Sequence, residues 1–167
     1  MNTAARLLRS SAAALAMVAG LPKSNAASED EQARLQQAGA RCTDLALQLE
    51  RLIDRDTEAY GLVVNAFRMP KGTEEEKAAR TAGIQTAMKA ATDAPLEVMR
   101  RCVETLGLAP TVGDLGNPNA LSDVKVGVAM LQAGLAGARE NVEINLGSVK
   151  DADYVARVRA EATALAS

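Results

Sequence analysis

An all-α fold, a single-domain antiparallel bundle of about five to six helices, is predicted by three features of this sequence. Aromatic residues make up only 2% of the 167 positions and there are 5 prolines, while alanine, leucine, valine and methionine are plentiful; that balance suits helix packing rather than a sheet. A Ser-x-x-Glu capping box marks one helix start, and a long heptad stripe follows it. With 48% hydrophobic and 24% charged residues, the chain can bury one core, so residues 1–167 read as one domain.

The first segment has two readings. Met1–Ala27 carries Arg6 and Arg9, then "SSAAALAMVAGL", then the small residues of "SNAAS", which imitates a secretory signal. Its apolar run is alanine-rich and shorter than the ~20 residues of a bilayer span, so it also reads as a first helix. Ser28 and Glu31 form the capping box that starts the next helix. Its stripe runs Leu35, Ala38, Cys42, Leu45, Leu49, Leu52, Asp56, Ala59, Val63 and Ala66. Asp56 interrupts nine apolar positions. An unpaired buried carboxylate is costly, so Asp56 is either a register-fixing polar contact or functional. "MPKGTEEE" breaks the helix at Pro70 and Gly72 and starts another at Thr73, with acidic residues in the first turn where the helix dipole favours them. Asp93 and Pro95 predict a restart or kink, and Gly107 a helix end. "LAPTVGDLGNPNA" then reads as a substantial loop, and a closing helix is expected near Asp151–Ala166.

A net charge of −2 with no basic block argues against nucleic acid as the main partner. The absence of histidine removes Ser-His-Asp and Cys-His catalysis and HExxH metal sites, leaving acid–base chemistry to carboxylates, lysine, tyrosine or a polar network. Cys42 and Cys102 lie at apolar helical positions without a CxxC neighbour, which predicts buried free thiols.

From Ser122 a long helix is predicted to run to about Leu146. One face reads Asp123, Gly127, Met130, Gly134, Gly137, Asn141 and Asn145. Each interior glycine costs ~1 kcal/mol against alanine, so a neighbouring helix or a flat ligand must approach this face closely. Asp123 and Asn141 are eighteen positions apart, about 27 Å along a continuous helix. Either one is structural or a symmetric dimer joins them. Before this helix, Gly116, Asn117, Pro118 and Asn119 shape a turn that delivers Ser122 and Asp123 to its first turn.

"AFRMPKGTEEEKAARTAGIQTAMKAATDAPLEV", "GNPNALSDVKVG" and "ENVEINLGSVKDADYV" together resemble the cyclodeaminase/cyclohydrolase family, over about Leu15–Leu165. That family includes the C-terminal part of formimidoyltransferase-cyclodeaminase and free-standing methenyltetrahydrofolate cyclohydrolases. The resemblance implies a cytoplasmic, all-helical homodimer that acts on one-carbon tetrahydrofolate without metal or other cofactor, and without nucleic-acid or membrane partners. It favours hydrolysis of 5,10-methenyltetrahydrofolate to 10-formyltetrahydrofolate. Cyclodeamination of 5-formimidoyltetrahydrofolate and a non-catalytic helical module are the alternatives. It also turns Met1–Leu21 into a core helix. "RLLRSS" stands where the family has a Pro-Gly-Gly-Gly-Ser type turn after a first helix, so the domain is expected to be shortened at its N-terminus.

Hydrolysis of an amidinium-like methenyl carbon needs a delivered water, a base and stabilisation of the tetrahedral adduct. A carboxylate raised in pKa by a partly apolar cleft suits the base. The expectation gives that role to Asp123, with Asp56 as a second acid–base or pterin-binding carboxylate. Ser122 and Asn117 orient water or pterin edges, Lys71 attracts the folate's glutamate tail, and Asn141 with Asn145 completes the site across the dimer.

Overall fold

The computed structural model describes residues 3–22 and 28–167, with side chains from Leu8 onward. Five helices follow in order: α1 (Thr3–Gly20), α2 (Glu29–Arg68), α3 (Glu74–Leu115), α4 (Leu121–Leu146) and α5 (Ala152–Leu165), with one 3₁₀ turn at Pro118–Ala120. The "SNAAS" reading lies mostly outside the described residues.

The capping boxes form as predicted. Ser28 and Glu31 close the start of α2, and Thr73 and Glu76 that of α3; each pair satisfies amides that the first turn leaves without helical partners. Helices α1 to α4 make a four-membered bundle in which α1 and α3 each pack between α2 and α4, while α5 lies across α3 and α4. Neighbours run antiparallel. Arg9 pairs with Glu50 and Arg41 with Glu104 across the two sides of α2, and the Cys102 thiol contacts the Leu131 carbonyl across α3 and α4 at 3.0 Å.

The α2 stripe points inward: Cys42, Leu45 and Leu49 are fully buried. Helix α1 is a core element, with Leu8, Ala12 and Leu15 at 0% exposure. It packs against the glycine face of α4. A Cβ on Gly127 would stand 3.6 Å from the Ser11 carbonyl, and one on Gly134 only 2.6 Å from Leu8 Cγ. Close helix packing therefore requires the glycine at 134, whereas a Cβ at 127 would make only ordinary van der Waals contact. Gly134→Ala is expected to destabilise the fold by about 1–3 kcal/mol through overpacking, outweighing the ~1 kcal/mol gain in helix propensity. Urea denaturation would measure it, and combining it with Leu8→Ala should cost less than the sum of the two single changes because the residues share one space.

Helix α3 departs from the sequence expectation. It runs unbroken through Pro95, Gly107 and Pro110 to Leu115, so neither the restart at Pro95 nor the end at Gly107 occurs. The expected loop shrinks to the short stretch between Leu115 and Leu121. Burial of Ala109 and Val112 continues the apolar face past the glycine, and tertiary packing overrides the local helix-breaking tendency.

Candidate active site

The two interfaces that α3 makes with α2 and α4 meet in an open cleft of about 500 Å³. Helix α2 contributes Asp56, Tyr60 and Val63, whose i, i+4, i+7 spacing puts them on one face. Met88 and Ala91 of α3 form a second wall, and Asn141 and Asn145 of α4 a third.

Asp56 is half-buried within the apolar stripe, between buried Leu52 and buried Ala59. Burial pushes its carboxyl group above the usual aspartate range, because a less polar surrounding disfavours the charged form. Tyr60 is 69% exposed at the cleft mouth, and Met88 beneath it is buried. Asn145 is tied down: its Nδ2 donates to the Ala91 carbonyl oxygen at 2.8 Å. An apolar-sided cleft with a carboxylate and two carboxamides can hold a planar polar ring, and its carboxylate can accept a proton.

Three of the residues expected from the sequence, Asp56, Asn141 and Asn145, thus meet in one cleft. The other four lie off its lining. Ser122 and Asp123 are exposed in the first turn of α4. Asn117 uses both ends of its side chain, donating from Nδ2 to the Pro22 carbonyl beyond the end of α1 at 2.6 Å and accepting at Oδ1 from the Asn119 amide of its own turn at 2.9 Å. Lys71 is exposed in the turn between α2 and α3. The environment that suits a general base, expected at Asp123, is found at Asp56. Within one chain, Asp123 and Asn141 sit on a continuous α4, so the separation of about 27 Å stands.

Sequence reasoning missed Tyr60, Met88 and Ala91. Tyr60 was signalled by its i+4 spacing from Asp56; Met88 and Ala91 depend on how α3 packs and had no local signal. The cysteines are core residues, as expected: burial pushes the Cys42 thiol up to about 11 and the Cys102 thiol up to about 12, so neither is a thiolate nucleophile near neutral pH. Among the described residues, no group of three or more His, Cys, Asp or Glu side chains gathers to hold a metal ion, and no helix is long and apolar enough to cross a membrane.

The fold and cleft define an all-helical protein whose candidate acid–base group is a carboxylate. Residues 3–164 match the family model described as formiminotransferase-cyclodeaminase, and the chain belongs to that family. It is 40% identical over 140 residues to a methenyltetrahydrofolate cyclohydrolase of Methylorubrum extorquens, a match covering 84% of this chain and 67% of that protein. Against the formimidoyltransferase-cyclodeaminase of Rattus norvegicus it is 31% identical over 112 residues, covering 67% of this chain but only 21% of the relative. The fold matches that of a formiminotetrahydrofolate cyclodeaminase from Thermotoga maritima with a TM-score of 0.82 at 22% identity, over 99% of this chain and 80% of that one.

Proposed function

We propose that this protein hydrolyses 5,10-methenyltetrahydrofolate to 10-formyltetrahydrofolate, as a cytoplasmic homodimer and without metal or other cofactor. The half-buried Asp56 carboxylate, facing Asn141 and Asn145 across a cleft in a histidine-free chain, carries the reading. Asp56 takes a proton from the water that attacks the electrophilic methenyl carbon and returns it to N5 as the adduct collapses, which breaks the carbon–N5 bond, leaves the formyl group on N10 and releases the hydroxyl proton to solvent; the carboxamides hold the pterin and the polar adduct. Tyr60 offers its ring face to the cationic substrate.

The dimer supplies the missing partner. Val126, Ala129, Ala133 and Ala136 form an exposed apolar stripe on α4, where a second helix can approach closely. An antiparallel α4 pair with its two-fold axis near Gln132, midway between Asp123 and Asn141, brings Asp123 of one protomer beside the other's cleft. There Asp123 serves as the second carboxylate, with Ser122 orienting water and Asn117 fixing the turn. Lys71, exposed in the turn between α2 and α3, is assigned to attract the glutamate tail by its charge.

The test is loss of methenyltetrahydrofolate absorbance, corrected for spontaneous hydrolysis. Protein-dependent acceleration is expected. No acceleration, with release of ammonia from 5-formimidoyltetrahydrofolate, would replace this reading with cyclodeamination, the activity named for the mammalian relatives.

A further inference from the structure

In an α-helix each amide donates to the carbonyl four residues earlier, and proline has no N–H to give. Pro95 is buried inside α3, so the carbonyl left without a helical donor is that of Ala91. That oxygen is the one that accepts from Asn145 Nδ2 at 2.8 Å. Both Ala91 and Asn145 line the cleft. Side chains reach other carbonyls of the same turn: Thr92 Oγ1 donates to the Met88 carbonyl at 2.7 Å, and the Tyr154 hydroxyl lies 3.1 Å from that of Lys89.

We infer that Pro95 is a positioning residue for the cleft: the acceptor it frees on α3 captures the nitrogen of Asn145 and leaves Oδ1 of that carboxamide for the ligand. The cleft then presents Asn145 Oδ1 as a fixed acceptor, and the ligand edge it recognises carries an N–H donor, as the amino-bearing ring edge of a pterin does. The assignment of that edge rests on the folate reading; the capture of Asn145 does not. An alanine at position 95 would return a backbone donor to Ala91, and Asn145 would lose its anchor.

Two readouts test this. By nuclear magnetic resonance, the Asn145 side-chain amide protons should exchange slowly in the wild-type protein and faster in Pro95→Ala. In steady-state kinetics, Pro95→Ala should raise KM about three- to tenfold, the range of one hydrogen bond's net worth, with kcat changed less than about twofold. The double variant Pro95→Ala/Asn145→Ala should be no worse than Asn145→Ala alone. An unprotected amide in the wild type, exchange unaltered by Pro95→Ala, or additive losses in the double variant would overturn the positioning role. Protection that responds to Pro95→Ala in a protein that binds no tetrahydrofolate would support the positioning role and overturn the folate reading.

Discussion

Asp56→Asn is expected to lower methenyltetrahydrofolate turnover by roughly a hundred- to ten-thousand-fold, the usual contribution of a positioned general base, and to make the folded protein more stable at neutral pH. Both effects have one cause. Burial raises the Asp56 pKa in the folded chain, whereas the unfolded chain has the ordinary value near ~3.9. Between those values the folded state holds more protons, so this group's effect on stability becomes less favourable as pH rises through that window. Asparagine carries no charge to bury. Its advantage in thermal melts should be smallest below the unfolded value and reach its full size above the folded one. The wild-type rate should rise with pH along a limb placed above the ordinary aspartate range. Wild-type turnover in Asp56→Asn, or a melting advantage that does not grow with pH, would remove Asp56 from the base role.

The bundle was legible because its signals are local. Ser28–Glu31 and Thr73–Glu76 fix helix starts, and the stripe from Leu35 to Ala66 fixes the inward face of α2. The same stripe exposed Asp56, since a carboxylate at an apolar position stands out whatever it packs against. Pro95 is visible as a proline and reads as a restart or kink; the restart does not occur, since α3 runs on through it. Its effect depends on Asn145, fifty positions later, which meets the freed carbonyl of Ala91. Gly107 likewise could not announce that burial of Ala109 and Val112 would carry α3 onward. The weight given to Asp123 came from a helix start and a resemblance, neither of which reports burial. The walls at Met88 and Ala91 are products of packing between distant helices.

Mixing inactive Asp56→Asn and Asp123→Asn proteins should restore about a quarter of the wild-type activity if the site is shared across the two-fold axis. In the proposed dimer each site takes Asp56 from one protomer and Asp123 from the other. A mixed dimer therefore has one site lacking both carboxylates and one retaining both. Random re-pairing makes half the dimers mixed, and each has one working site of two. Two carboxylates belonging to the same protomer's site give no such rescue, because every site then carries one of the changes. The experiment needs subunit exchange under mild denaturant, followed by rate measurement at fixed total protein. Restored activity would assign Asp123 to the partner's cleft. Continued inactivity after demonstrated exchange would return Asp123 to a local role at the start of α4, and full activity of Asp123→Asn alone would leave Asp56 as the sole catalytic carboxylate. The exposed stripe of Val126, Ala129, Ala133 and Ala136 supplies a second control. A charge introduced at Ala133, near the axis, would face its own copy across the interface, so Ala133→Glu should disperse the dimer and abolish rescue while leaving the core of each protomer folded.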